Sequence, residues 1–435
     1  MKFALAVAAW LLLPVVGRFA LRIDAVRRMP WPGRVAFCGI AGALTTGCVM
    51  FTMSVIALPW TRLSLFLILG AIAAIGFLPA AVDRGTSPQM SRPAILVIAV
   101  FLALTTYGAL DSRESSGDLH YFWGPKAVRF FRAGHIDTTF LRNPDFYQMH
   151  PDYPPLLPLL YSWTNVLSGD FSWMAALAAT PLLLLAIACV AWSVAGDAWG
   201  TVLIVATLAQ AMAVGFAAGA AEPLLILLET TALAALLFVR DDRSRGQLAA
   251  LGLAGAAWTK IEGTTFLIAV VVALILVRRQ WREAVKIAVP ALILIVAWTI
   301  FISHAGVLDM YAAAGRYPIH FSVLPKVIKL VALAGSYDVF WIPWIVPAAL
   351  IAMGDVRRAI LPLVVSVLTM CAAVYFYIHA DDPTWWIAAS APRVLLTPLI
   401  ALDLAAIAAW TGVTEPAPPL QSSHRSRSID PQPTS

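Results

Sequence analysis

The chain predicts an all-α polytopic membrane protein of about thirteen transmembrane helices with one large external loop. Hydrophobic residues fill 60% of its 435 positions and charged residues only 12%, about half the charge of a soluble domain and too little to coat a globular surface of this size. Apolar stretches recur at lengths near the ~20 residues that cross ~30 Å of hydrocarbon, each closed by Arg, Asp, Pro or Trp. The formal charge of +6 sits on arginines in short connections between these stretches. Orientation in a bilayer explains them, so nucleic-acid binding is not expected. Cys38, Cys48, Cys189 and Cys371 all fall inside apolar runs without CxxC or Cys/His spacing, the pattern of small buried hydrophobes rather than of disulfides or zinc ligands.

Taken in order, 3–16 is a first span. It resembles a signal-peptide core, but no small-x-small cleavage site follows it, so it is kept as a span. Arg18, Arg22, Arg27, Arg28 and Arg34 make the next connection cytoplasmic. Spans at 35–58, 63–82 and 93–110 complete a four-span region, 1–110, and place the polar loop 111–153 outside. The membrane core, 154–411, opens with 156–167, too short for a crossing that parity forbids, and therefore re-entrant or interfacial. Spans at 171–195, 201–218 and 223–239 lead to a hairpin, 248–276, whose apex Lys260-Ile-Glu-Gly263 faces outside. Further spans follow at 288–303, 339–353, 360–378 and 394–410, with an external loop, 306–326, that carries Asp309, Arg316 and His320. The connections around Arg240, Arg278 and Arg357 are cytoplasmic by the same rule. The tail, 412–435, has too few apolar residues to fold and reads as disordered and cytoplasmic.

Parity gathers Asp118, Asp152, Glu222, Lys260, Glu262 and Arg393 on the external side. Ionisable groups beside hydrocarbon are expensive and tend to be kept for a pathway, a partner or a reaction, although each taken singly is as well explained as a helix cap. The loop contains Gly117-Asp-Leu-His-Tyr-Phe-Trp-Gly-Pro-Lys-Ala127, with a helix-forming stretch behind it. A carboxylate there suits proton transfer from a hydroxyl, aromatic faces suit a sugar or an isoprene, and cations suit phosphate. A solvated loop with Trp123 as an interface residue is the plain alternative. Asp118, His120, His150 and Asp152 are the residues from which a divalent-metal site would be built, but the two histidines read as ordinary hydrogen-bonding loop residues and no cofactor is assigned.

The order of features resembles the GT-C class of membrane glycosyltransferases, which includes protein O-mannosyltransferases and the aminoarabinose transferases of lipid A. The resemblance runs from Asp111 to Pro398. It rests on Asp118 five residues before Trp123 and followed by Pro125-Lys126-Ala127, on the loop exit His150-Pro-Asp-Tyr-Pro-Pro-Leu156, and on Glu222 at the outer end of a later span. Lys260 to Gly263 supplies a Lys-x-Glu-Gly turn, and Arg393 to Pro398 a late Arg-x-Leu-Leu-x-Pro after Trp385-Trp386. The resemblance implies inverting transfer of a sugar from a polyprenyl-phosphate carrier to an acceptor on the outer face of the cytoplasmic membrane, and arginine- and alanine-rich usage suggests a bacterial one. It makes Asp118 the base, gives the donor phosphate to Lys260 and Arg393, and leaves Trp123, Lys126, His150, Asp152, Tyr153, Glu222 and Glu262 to shape the pocket. The departures are three spans ahead of the one that enters the loop, a Glu where an Asp is commoner, and no large soluble domain after the last span. The acceptor, whether glycan, lipid or protein, stays open. The rivals are a secondary transporter, for which Asp403 is the one candidate buried within a span, and a lipid-linked glycan flippase or ligase. No Gly-rich phosphate cradle, HExxH, GxSxG or nucleotide-sugar DxD element is present.

Overall fold

The computed structural model describes residues 2–77, 90–112, 116–213, 219–307, 319–337, 342–379 and 383–411, and among them every regular element is helical. The tail 412–435, Asp309 and Arg316 lie outside the described residues. The helices are α1 (Lys2–Val16), α2 (Asp24–Arg28), α3 (Trp31–Val55), α4 (Arg62–Gly76), α5 (Arg92–Asp111), α6 (Gly124–Ala133), α7 (Thr138–Leu141), α8 (Leu156–Ser168), α9 (Met174–Ala195) and α10 (Ala198–Ala213). They continue with α11 (Glu222–Phe238), α12 (Asp242–Thr259), α13 (Ile261–Arg278), α14 (Trp281–His304), α15 (Leu324–Tyr337), α16 (Ile342–Met353), α17 (Val356–Tyr377), α18 (Pro383–Val394) and α19 (Leu396–Trp410).

Seven helical segments among the described residues are long and apolar enough to cross a membrane. Of the other expected spans, some form shorter apolar helices, such as α4 and α16, and α12 opens with the charged turn Asp242-Arg-Ser-Arg245. The first span runs past 16, since a 3₁₀ turn, Gly17–Arg22, extends α1. The described residues of the loop 111–153 are themselves largely helical. They hold a π-helical turn (Asp118–Trp123), then α6, α7 and a 3₁₀ turn (Pro144–Met149).

Close approach of backbones organises the bundle. A Cβ on Gly42 would stand 1.9 Å from the Leu13 carbonyl oxygen, and one on Gly17 2.0 Å from that of Cys38. Small residues thus let α1 and α3 touch along their backbones, the contact through which helices associate where hydrocarbon surrounds them. Beyond this pair α9 packs on α1 and α3, α11 lies between α9 and α12, and α12 also carries α13 and α14. A second group, α16, α17 and α19, joins the first where α17 meets α13 and α19 meets α10 and α11.

Helix α8 corrects one expectation. Leu156 to Val166 are all buried, so it presents no face to a membrane surface and is not interfacial. Thirteen residues rise only ~20 Å, and α1, α3, α6, α9 and α12 surround the helix. It is a short helix inside the protein, compatible with the re-entrant alternative.

Candidate functional site

Four of the charged residues singled out from the sequence occupy helix ends, the acids Glu222 and Glu262 at N-termini and the cations Lys260 and Arg393 at C-termini. Glu222 opens α11 and Glu262 lies in the first turn of α13, where unpaired N–H groups leave partial positive charge. Pro223 follows Glu222 at a position where its missing N–H costs nothing. Lys260 closes α12 as a single extended residue, φ −158° and ψ 159°, before α13 begins. Arg393 lies in the last turn of α18. Both cations therefore sit where carbonyls point outward. The hairpin apex is tight because Gly263 has no side chain. A Cβ there would come within 1.9 Å of the Ala256 carbonyl oxygen.

These ends meet Asp118 in one ion network. Lys260 Nζ lies 2.8 Å from Glu222 Oε1 and 2.9 Å from Glu262 Oε1, and Arg393 Nη1 lies 2.5 Å from Asp118 Oδ1. Arg393 Nε stands 4.0 Å from Glu222 Oε1, which joins the two halves. Three carboxylates thus face two cations, and Asp118 and Glu222 are only 7% and 2% exposed. Burial pushes the Asp118 carboxyl above its ordinary value. The neighbouring Glu222 adds to the rise, and Arg393 and Lys260 oppose it.

The loop forms the wall beside this network. Asp118 opens the π-helical turn, a geometry concentrated at functional sites. Trp123 at its other end is 3% exposed, so it is a core residue and not an interface anchor. Lys126 is turned inward. Its Nζ donates to the His150 carbonyl at 2.5 Å and lies 5.0 Å and 5.8 Å from the ring centres of Trp123 and Tyr153. Burial brings its ammonium down to about 7, against the pull of Asp152. His150 takes a left-handed backbone, φ 52°, and its ring packs on Tyr153 and Phe122 at 4.4 Å and 5.3 Å. Burial, helped by Lys126, Lys260 and Arg393, lowers its imidazole to about 3 and keeps it neutral. Trp298 Nε1 donates to the Asp152 carbonyl at 2.7 Å, which ties the end of the loop to α14.

A cavity of about 280 Å³ adjoins both groups, with Tyr153, Glu262, Thr369, Phe376, Val394 and Thr397 in its wall. Glu222 Oε2, Glu262 Oε2 and His150 Nδ1 are buried with no hydrogen-bond partner among the described residues. Buried polar atoms are seldom left so, and of these three residues Glu262 lines the cavity. Asp118, His120, His150 and Asp152 do not assemble as metal ligands. His120 faces Trp173, and no group of three or more His, Cys, Asp or Glu among the described residues is placed to hold an ion.

One partner of the site went unnoticed in the sequence. Glu229, 2% exposed, accepts hydrogen bonds from Thr397 Oγ1 at 2.9 Å and 3.1 Å, and Thr397 lies in the cavity wall. The available signal was its spacing, since seven residues after Glu222 is two turns along the same face of α11. Asp403, 0% exposed in the middle of α19, stands apart from this group. No protein-family model, curated protein or solved structure matches the chain.

Proposed function

We propose that the chain is a GT-C-type glycosyltransferase that moves a sugar from a polyprenyl-phosphate carrier to an acceptor, with inversion, on the outer face of a bacterial cytoplasmic membrane. The observation that carries this reading is the meeting of Asp118, Glu222, Lys260, Glu262 and Arg393, drawn from four helix ends and a loop, beside a cavity that Glu262 lines with an unpartnered Oε2.

In this reading the donor phosphate enters between Lys260 and Arg393 and draws them from their carboxylates. Arg393 then leaves Asp118, whose carboxylate accepts the proton of the acceptor hydroxyl while its oxygen attacks the anomeric carbon from the face opposite the phosphate. The bond from that carbon to the phosphate oxygen breaks. Its electrons leave with the polyprenyl phosphate, held by the two cations, and no general acid is needed because that oxygen is already weakly basic. Glu222, Glu262 and His150 accept hydrogen bonds from sugar hydroxyls, and Trp123, Lys126, Asp152 and Tyr153 hold the loop that presents Asp118.

The test is transfer of radiolabelled sugar from polyprenyl-phosphate donors to endogenous acceptors in membranes holding wild type or Asp118→Asn at equal expression. Loss of transfer by two orders of magnitude or more, of the order expected for a general base, with donor binding retained, supports the reading. Unchanged transfer removes Asp118 from the mechanism. A transport reading draws on Glu229 and Asp403, acids buried inside the helical core. It is favoured if wild type transfers nothing while proteoliposomes show a flux that Glu229→Gln abolishes.

A further inference from the structure

The far end of the α12–α13 hairpin carries a second groove, independent of the site above. Helix α12 has 18 residues between Asp242 and Thr259, so its first turn stands ~27 Å from Lys260, close to the thickness of the hydrocarbon layer. There a cavity of about 750 Å³ opens between the start of α12, the α13–α14 turn and the start of α14.

Its charge is unbalanced. Arg243, Arg279, Arg282 and Lys286 line it with Asp242 and Glu283. Both of those acids are already taken by Arg245, which lies 2.8 Å from Asp242 Oδ1 and 3.2 Å from Glu283 Oε1. Among the described residues the other four cations make no ion pair. Arg279 also stands against its backbone preference. It holds the left-handed position after α13, φ 54°, that glycine fills after α6, α8 and α9 (Gly134, Gly169 and Gly196). A side chain there costs about 1 kcal/mol, so a cap alone would be better served by glycine. Trp281, 58% exposed, adds an indole of the kind that settles at headgroup level. Beyond it Val285, Val289, Leu292 and Ile293 leave an exposed apolar strip along α14.

We propose that this groove binds the phosphate headgroup of an anionic phospholipid in the leaflet opposite the candidate site, with Arg279, Arg282 and Lys286 around the phosphate and its acyl chains along α14. A lipid is chosen over a free anion because Arg282 and Lys286 share a face of α14 with that exposed strip, three and seven residues ahead of Val285, Val289 and Ile293. Ile287 and Ala250 in the groove wall suit the glycerol and the first methylenes.

The experiment is thermal unfolding of the purified full chain in neutral detergent with phosphatidylglycerol, phosphatidylcholine or inorganic phosphate added. Phosphatidylglycerol raises Tm in a concentration-dependent way, and the other two do not. Arg279→Gly keeps or raises the basal Tm, since it relieves the left-handed residue, yet weakens the apparent affinity for phosphatidylglycerol about fivefold, the effect of one charge near a membrane surface. Gly246→Leu keeps every charge and fills the groove, because a Cβ there meets only Ile287, at 4.0 Å; it abolishes the shift. The proposal is overturned if phosphatidylglycerol shifts both variants as it shifts wild type, if it shifts nothing, or if inorganic phosphate or phosphatidylcholine acts as well.

Discussion

Lys260 shows how much one side chain decides here. Its ammonium serves both Glu222 and Glu262 and is itself nearly buried, 11% exposed as a side chain. Lys260→Met leaves two carboxylates near Asp118 with only Arg393 to balance them. The expected cost is about 3–5 kcal/mol, the range for breaking a buried ion pair by removing one partner, read as a fall in Tm, with Lys260→Arg recovering much of it. Lys126 sets a different dependence. Its ammonium titrates at about 7 in the fold against an ordinary 10.5. Between those values the unfolded chain holds more protons than the folded one, so stability rises with pH across that window and is lost as pH falls to 7 and below. Thermal unfolding between pH 6 and 9 should show this rise, and Lys126→Met should flatten it.

The α12–α13 hairpin has to turn within one extended residue to bring Lys260 and Glu262 to the same point. Gly263 makes this possible by letting the first turn of α13 lie on the Ala256 carbonyl. Gly263→Val forces the two helices apart at the apex. A loss of about 1–3 kcal/mol from overpacking, together with loss of sugar transfer, is the expected outcome in unfolding and transfer assays. Gly246→Ala in the same hairpin is the contrasting case. Its Cβ meets only Ile287, at 4.0 Å, an ordinary contact, and removing an interior helical glycine stabilises by about 0.5–1 kcal/mol. The two glycines look alike in the sequence, because a run of alanines, leucines and glycines does not disclose which residue another backbone touches.

Viewed whole, the chain keeps its two polar centres at opposite ends of one hairpin, with Lys260 and Glu262 at one and Arg243, Arg279 and Arg282 at the other. The arginine rule assigns the second end to the cytoplasm. With the four native cysteines replaced by alanine, Asp145→Cys in the loop before His150 should react with a membrane-impermeant thiol reagent in intact cells. Arg243→Cys should react only after permeabilisation. The reverse pattern would place the candidate site inside and end the outer-face reading.

Composition and apolar run length were enough to identify a helical chain with membrane-length segments, because hydrocarbon demands continuous apolar helices whatever they pack against. Parity through those runs predicted Asp118, Asp152, Glu222, Lys260, Glu262 and Arg393 on one side, and the structure joins all of these but Asp152 in one ion network. The helical content of 111–153 was legible only in the stretch after Lys126, since aromatic and polar residues follow no apolar period there. Tertiary structure alone decided that Arg393 pairs with Asp118, that Lys126 caps the His150 carbonyl, that α8 is buried on every side and that Glu229 holds Thr397. Each of these joins residues from different elements, and the side chain that satisfies a buried charge or carbonyl is chosen by which helices cross. A sequence read one span at a time carries no record of those crossings.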